Sequence, residues 1–414
     1  MRLLLEAGAD SNVAIPRNGV TPLMKAVRED KEAAVRMLLS HGADANVADS
    51  HGVTTLYQAA WFGQLDIMRL LLEAGANPNV AMTKSGTTLL LKAVRKGNKA
   101  MVRMLLSHGA DANVADSQER TSLYHAACLG RLDIVRLLLE SGANANAADS
   151  YGQTSLLIAA HCNPSGRLDI MRLLLEAGAD PNVAETEKME SFTPLHYSCG
   201  QLHTEIITHL LKHGADPNLV DCNKRTPLAI IGSKAEVRRP GMNEQREFAA
   251  EMELQKSMLQ AESVVQAASA LLQTCESAGV LLQVNTRDSE GNTPLHSFCR
   301  MMLACKDDVY AREREGCVLI VHALVFNHGA HVDVVNARGE TPYELWRRIY
   351  STRFRGNVES IDEIHGRMSA QYHLLKCHCA RVIVRHSVAY KNRLPPNLIE
   401  FVRAHARPRQ RRRH

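Results

Sequence analysis

Long apolar runs are missing from this chain. No stretch approaches the roughly 18 uninterrupted nonpolar residues that a membrane-spanning helix needs, so nothing in the sequence reads as a span. Cysteine pairs are missing as well. The ten cysteines are scattered, none precedes Cys128, and no Cys-x-x-Cys occurs. That argues against a disulfide framework and against the commonest zinc spacing, and it fits a reducing intracellular compartment. His373, Cys377, His378 and Cys379 form the one metal-like cluster. Helical spacing would scatter them around an axis, so no metal is expected. The opening MRLLLEAGAD turns acidic at once, unlike a secretory signal. The glycine-rich phosphate loops, HExxH and GxSxG are all absent, so the expectation is a non-enzyme without a cofactor. Charge of one sign is also lacking in the body. The net charge is +5, but Arg403, Arg407, Arg409, Arg411, Arg412 and Arg413 account for six positive charges, leaving −1 elsewhere. Such a tail is either a solvated end or a nuclear or nucleic-acid address.

What the chain has is repetition. MRLLLEAGA occupies 1–9, 68–76 and 171–179, and VRMLLSHGADANVADS occupies both 35–50 and 102–117. In 52–85, Thr54 is placed to cap a helix, Ala59-Ala60 permits close helix approach, and Gly63 ends the helix. Ile67, Leu70 and Leu71 then set an apolar stripe on a second helix, which Gly75 closes in the left-handed conformation. Other units open with Thr-Pro-Leu at 21–23, 193–195, 226–228 and 293–295, with Pro at the first helical position.

This unit resembles the ankyrin repeat: Thr-Pro-Leu-His-x-Ala, two antiparallel helices and a projecting turn, about 33 residues long. Starts fall at Thr21, Thr54, Thr88, Thr121, Thr154, Thr193, Thr226, Thr293 and Thr341. The resemblance implies an all-α ankyrin-repeat solenoid over 1–350, about nine repeats with the first incomplete. His196 and His296 would then tie the turns of neighbouring repeats together. Asn163-Pro164-Ser165 lengthens one turn, 232–262 interrupts the seventh unit, and 306–313 enlarges the eighth. After Arg238-Arg239-Pro240-Gly241, a Glu/Gln/Ala-rich stretch reads as an extended helix to about Cys275. Met1 stands where Met68 and Met171 stand, in mid-helix. Half a repeat leaves Leu3, Leu4 and Leu5 uncovered, so the natural chain is expected to extend upstream.

In an ankyrin-like array, the partner-facing positions are the turn tips and the two residues before the glycine that ends the first helix. Along the chain these give Arg28-Glu29, Trp61-Phe62, Arg95-Lys96, Cys128-Leu129 and His161-Cys162, with tips that include Arg120 and Tyr151. Aromatics are 4% of the chain and there are two tryptophans, so Trp61-Phe62 is conspicuous. Tryptophan and arginine are favoured hot-spot residues. The expected target-binding set is therefore Arg28, Trp61, Phe62, Arg95, Lys96, Arg120, Tyr151 and His161. It would suit an acidic or phosphorylated segment with an apolar anchor; the competing reading packs Trp61 along Leu65 and the adjacent repeat.

The ankyrin pattern stops after Trp346. In 371–402, Leu375, Cys379 and Ile383 fall on one helical stripe. Pro395-Pro396 follow, then Leu398 and Phe401. This segment resembles a SOCS box. The resemblance implies that Leu375, Cys379 and Ile383 bind elongin C, and that Leu394, Pro395, Pro396 and Leu398 contact a cullin. Asn392-Arg393 replaces the first Leu-Pro of the cullin-selecting element, which leaves the cullin open.

The combination resembles the ankyrin-repeat and SOCS box-containing family. It implies a linker at 351–366, a small helical SOCS-box-like domain at 367–404 and a basic tail at 405–414. The implied role is the substrate-recognition subunit of an elongin B–elongin C–cullin–RING ubiquitin ligase, cullin-5 being the expected cullin, in the cytoplasm with access to the nucleus. Two other readings stay open: a plain ankyrin scaffold whose last segment caps the array, and a nucleic-acid partner read from the arginine tail.

Overall fold

The computed structural model describes residues 6, 9–14, 19–80, 87–162, 168–186, 190–233, 247–304, 311–351, 364–366 and 368–369. The architecture is all-helical, an ankyrin-repeat solenoid, with no strand among the described residues. The chain divides into two compact units, residues up to Tyr197 and residues from Ser198.

In the first unit, inner helices alternate with outer ones: α1 (Pro22–Arg28), α2 (Glu32–Ser40), α3 (Thr55–Phe62), α4 (Leu65–Glu73), α5 (Leu89–Lys96), α6 (Lys99–Ser107), α7 (Ser122–Cys128), α8 (Leu132–Glu140), α9 (Ser155–His161) and α10 (Leu168–Glu176). Each inner helix starts because a buried threonine caps it. Thr54 Oγ1 accepts from the Tyr57 amide at 3.3 Å, and Thr21, Thr88, Thr121 and Thr154 do the same for their own helices. α3 stops at Gly63, whose φ of 75° a side chain would oppose. Ile67 and Leu71 are buried as the periodicity predicts, while Leu70 is half-buried. Among the inner helices α1 packs on α3, α5 on α7 and α7 on α9; among the outer ones α2 packs on α4, α6 on α8 and α8 on α10.

The turns carry two devices. An aspartate five residues before the capping threonine closes the hairpins ahead of α3, α7 and α9: Asp49 Oδ1 accepts from the His51 and Val53 amides, and Asp116 and Asp149 repeat this. An asparagine then ties each repeat to the next. Asn113 Nδ2 donates to the Gly142 carbonyl at 3.1 Å, while its Oδ1 accepts from the Asn144 amide at 2.7 Å. Asn12, Asn46, Asn79 and Asn146 make the same pair of bonds. These bonds are exposed, so water replaces part of what is lost. Asn113→Ala is expected to cost about 1 kcal/mol and to speed amide exchange at Asn144 without speeding it at Leu105. Urea unfolding and hydrogen-exchange mass spectrometry check both.

α11 (Pro194–Gly200) spans the division between units. The second unit contains α12 (Thr204–Lys212), α13 (Pro227–Ser233), α14 (Glu247–Ser277), α15 (Pro294–Ala304), α16 (Ala311–Phe326) and α17 (Pro342–Ser351). α13, α15 and α17 pack in series, and so do α12, α14 and α16. The extended helix expected after residue 241 is α14, and its C-terminal part serves as an outer helix. α16 approaches it closely at Gly316, where a Cβ would lie 2.6 Å from Val265 Cγ1. Asn218 and Asn285 continue the asparagine device, bonding to the Leu281 and Gly329 carbonyls. His296 meets its expectation. Its Nδ1 lies 3.0 Å from Thr293 Oγ1 and its Nε2 reaches the Glu340 carbonyl of the next repeat. Ile364 and Met368 are fully buried, and Tyr343 of α17 donates through Oη to Ser369 Oγ. Residues 163–167, 234–246 and 305–310 lie outside the described residues, as does everything from 370 on. The candidate elongin residues Leu375, Cys379 and Ile383, and the candidate cullin residues Leu394, Pro395, Pro396 and Leu398, are among the latter.

Candidate functional site

The C-terminal ends of α1, α3, α5, α7 and α9 bring the residues singled out from the repeat register onto successive inner helices of the first unit. Arg28, Trp61, Phe62, Arg95, Lys96, Leu129 and His161 are all exposed there, and Tyr151 is exposed at a turn tip. Trp61 keeps 58% of its surface and Phe62 55%. A large exposed aromatic pair at the end of a capped helix is not a folding requirement, since the same register holds Arg28-Glu29 and Arg95-Lys96 in neighbouring repeats.

The cations of this face fall into two groups. The arginines are engaged. Arg28 pairs with Asp49 at 3.4 Å, Arg95 with Asp116 at 3.1 Å, and Arg120 with Asp149 at 3.3 Å, in each case across to the turn of the following repeat. Burial alone would raise the Asp116 carboxyl. The hydrogen bond from His125 and the amides of Gln118 and Arg120 outweigh that and hold it below its ordinary value. Burial keeps His125 below its own, against the pull of Asp116, whose Oδ2 lies 3.1 Å from its Nε2.

The lysines are different. Lys92 Nζ sits 3.9 Å from the Trp61 ring centroid and 4.6 Å from that of Tyr57, and Lys96 Nζ lies 5.9 Å from Trp61. Trp61 therefore contacts the adjacent repeat through these ammonium groups, in cation–π geometry. Burial, and then repulsion from Lys96, holds Lys92 below its ordinary value. Among the described residues neither ammonium has a carboxylate within ion-pair distance. Lys92 was not legible as a site residue from the helix-end register alone; the signal was its position one turn before Lys96. Further along, the His161 ring stacks on Tyr197 at 4.6 Å, and Cys128 Sγ lies 4.0 Å from Cys162 Sγ. Among the described residues no group of three or more His, Cys, Asp or Glu could hold a metal ion, and no helix is long and apolar enough to cross a membrane.

A family model described as ankyrin repeats (3 copies) matches residues 1–82, 90–185 and 156–234, which together exceed half of the chain, and a second, described as ankyrin repeats (many copies), matches 62–106. The chain belongs to the ankyrin-repeat family. Its repeats are protein-binding modules, a fold typically without catalytic activity of its own. It is 33% identical over 121 residues to human "Protein fem-1 homolog A", which is 29% of this chain and 14% of that relative. It is 38% identical over 66 residues to "Ankyrin repeat protein nuc-2" of Neurospora crassa, 16% of this chain and 6% of that one. The ankyrin-repeat protein thus spans only a small part of the curated relatives it matches. Among solved structures it resembles an ankyrin repeat domain from Acinetobacter baumannii (32% identity, TM-score 0.44, 47% of this chain and 98% of that one). It also resembles the ankyrin repeat domain of Bcl-3, an IkappaB-family member (28% identity, TM-score 0.44, 51% and 94%).

Proposed function

We propose that this ankyrin-repeat protein is the substrate-recognition subunit of an elongin B–elongin C–cullin–RING ubiquitin ligase. The inner-helix face of its repeats would hold a target protein. The observation that carries the reading is the C-terminal pattern: Leu375, Cys379 and Ile383 at the SOCS-box spacing, followed by Leu394-Pro395-Pro396 and Leu398, directly behind an ankyrin array. The chain performs no chemistry in this reading. It raises the local concentration of target lysines beside the ubiquitin-loaded enzyme, an effective-concentration effect. Burial of Leu375 in an elongin C pocket would contribute about 1.5–3 kcal/mol.

One observation favours a second reading, a scaffold whose last segment caps the array. Ile364 and Met368 are buried, and Ser369 bonds to Tyr343 of the last repeat. Capture of purified elongin B–elongin C by the full chain separates the two. Stoichiometric capture, lost in Leu375→Ala/Cys379→Ala with helicity unchanged, supports the ligase subunit. No capture by the folded wild-type chain leaves the scaffold.

A further inference from the structure

We infer that the patch built by Tyr57, Trp61, Phe62, Lys92 and Lys96 docks an acidic peptide segment of a partner protein, with a nonpolar side chain against the rings and carboxylates on the two lysines. This rests on the reading that the inner-helix face holds a protein target, and it names that target's chemistry.

Three observations meet at the patch. The first is the exposed aromatic pair, Trp61 and Phe62, with Tyr57 tilted 46° to Trp61 at 6.0 Å between ring centroids. The second is charge. Lys92 and Lys96 stand over the same indole, repel one another, and have no carboxylate within ion-pair distance among the described residues. The arginines in the flanking repeats differ in having Asp49 and Asp116. The third is Gln58, one turn before Trp61 and Phe62 on α3. It is 5% exposed, and neither atom of its side-chain amide has a hydrogen-bond partner among the described residues. An unpaired buried amide beside an exposed aromatic pair is a polar group that folding alone has not satisfied.

The same geometry decides between ligands. Phosphate recognition favours the planar fork of a guanidinium, and the guanidiniums of Arg28 and Arg95 are held by aspartates. What remains is a pair of ammonium point charges, which suit carboxylates. A cationic ligand would have to displace Lys92 from the rings and then face Lys96 and Arg95, so the aromatic pair does not serve a foreign ammonium.

The test uses the full chain, immobilised, and three pools of displayed short peptides, each with one fixed aromatic residue in an otherwise acidic, neutral or basic sequence. The acidic pool is expected to be enriched over both others. That enrichment should fall at least about tenfold in Lys92→Glu/Lys96→Glu and in Trp61→Ala, and should be unchanged in Arg36→Ala, whose side chain lies on the outer helix α2. Circular dichroism establishes that each variant is folded, and Lys96→Glu alone substitutes for the double variant if that one is not. Equal or greater enrichment of the neutral or basic pool, retention of no pool, or acidic enrichment indifferent to the lysines overturns the inference. A trimethyl-lysine peptide that outcompetes the acidic pool does the same. Elongin capture, scored separately on the same preparation, keeps the two readings apart: capture without acidic enrichment sinks only this inference, and enrichment without capture sinks only the ligase subunit.

Discussion

Trp346→Ala is expected to destabilise the second unit by about 3–5 kcal/mol. Trp346 has no exposed surface, and Leu345 and Ile349 beside it on α17 are buried too. The helix lies against α15 on one side, and buried Ile364 and Met368 follow it. An end repeat normally has a neighbour on one face only and is the first to fray; enclosure of the largest of the fully buried side chains makes this repeat part of a core. The indole N–H is buried without an acceptor among the described residues. Trp346→Phe removes that orphaned donor along with some volume, so its cost should be about 1 kcal/mol or less. It also leaves Trp61 as the sole tryptophan, and the emission should then be that of a solvated indole. Urea unfolding followed by circular dichroism checks the pair. An alanine variant as stable as the phenylalanine variant would mean that the indole fills no core.

Glu185→Ala should be nearly as damaging in the first unit, at about 2–4 kcal/mol. Glu185 is only 3% exposed and closes a polar chain that crosses three repeats. Tyr124 Oη donates to Gln153 Oε1 at 3.1 Å. Gln153 Nε2 donates to Glu185 Oε2 at 3.1 Å, and Tyr197 Oη donates to Glu185 Oε1 at 3.0 Å. Burial, aided by Asp149, pushes the Tyr124 hydroxyl up to about 12, and burial with Glu185 raises that of Tyr197. Both hydroxyls therefore remain donors across the physiological range. Alanine leaves the Gln153 amide and the Tyr197 hydroxyl without their acceptor in a place water reaches poorly. Glu185→Gln keeps one acceptor oxygen and should cost about half as much. The measurement is a double-mutant cycle with Tyr197→Phe. A coupling of at least about 1 kcal/mol is expected, and strict additivity would show that the chain of bonds does not act as a unit.

Local features of the repeats were readable because their causes are local. A threonine caps the helix three residues ahead of it, a glycine accepts the left-handed turn at Gly63, and the 3.6-residue period buries Ile67 and Leu71. The exposure of Trp61 and Phe62 followed from the same register. The partners of that surface were not readable. Arg28 and Arg95 share the partner-facing register of the aromatic pair, yet each finds an aspartate 21 residues further on, a spacing fixed by the stacking of one repeat on the next. Lys92 over Trp61, Asn113 on Gly142 and Gln153 with Glu185 are likewise meetings between repeats or their turns. The C-terminal pattern remains a sequence reading.

The sequence by itself determined the repeat, its helix boundaries and which side of each inner helix faces out, since capping, glycine geometry and apolar periodicity act within a few residues of chain. Only the tertiary structure decided which charges are neutralised, which polar groups are joined and which cations have no carboxylate partner among the described residues. Those depend on which side chains in different repeats come within hydrogen-bonding reach, and a distance of about 3 Å across a helix stack cannot be read from residue spacing alone.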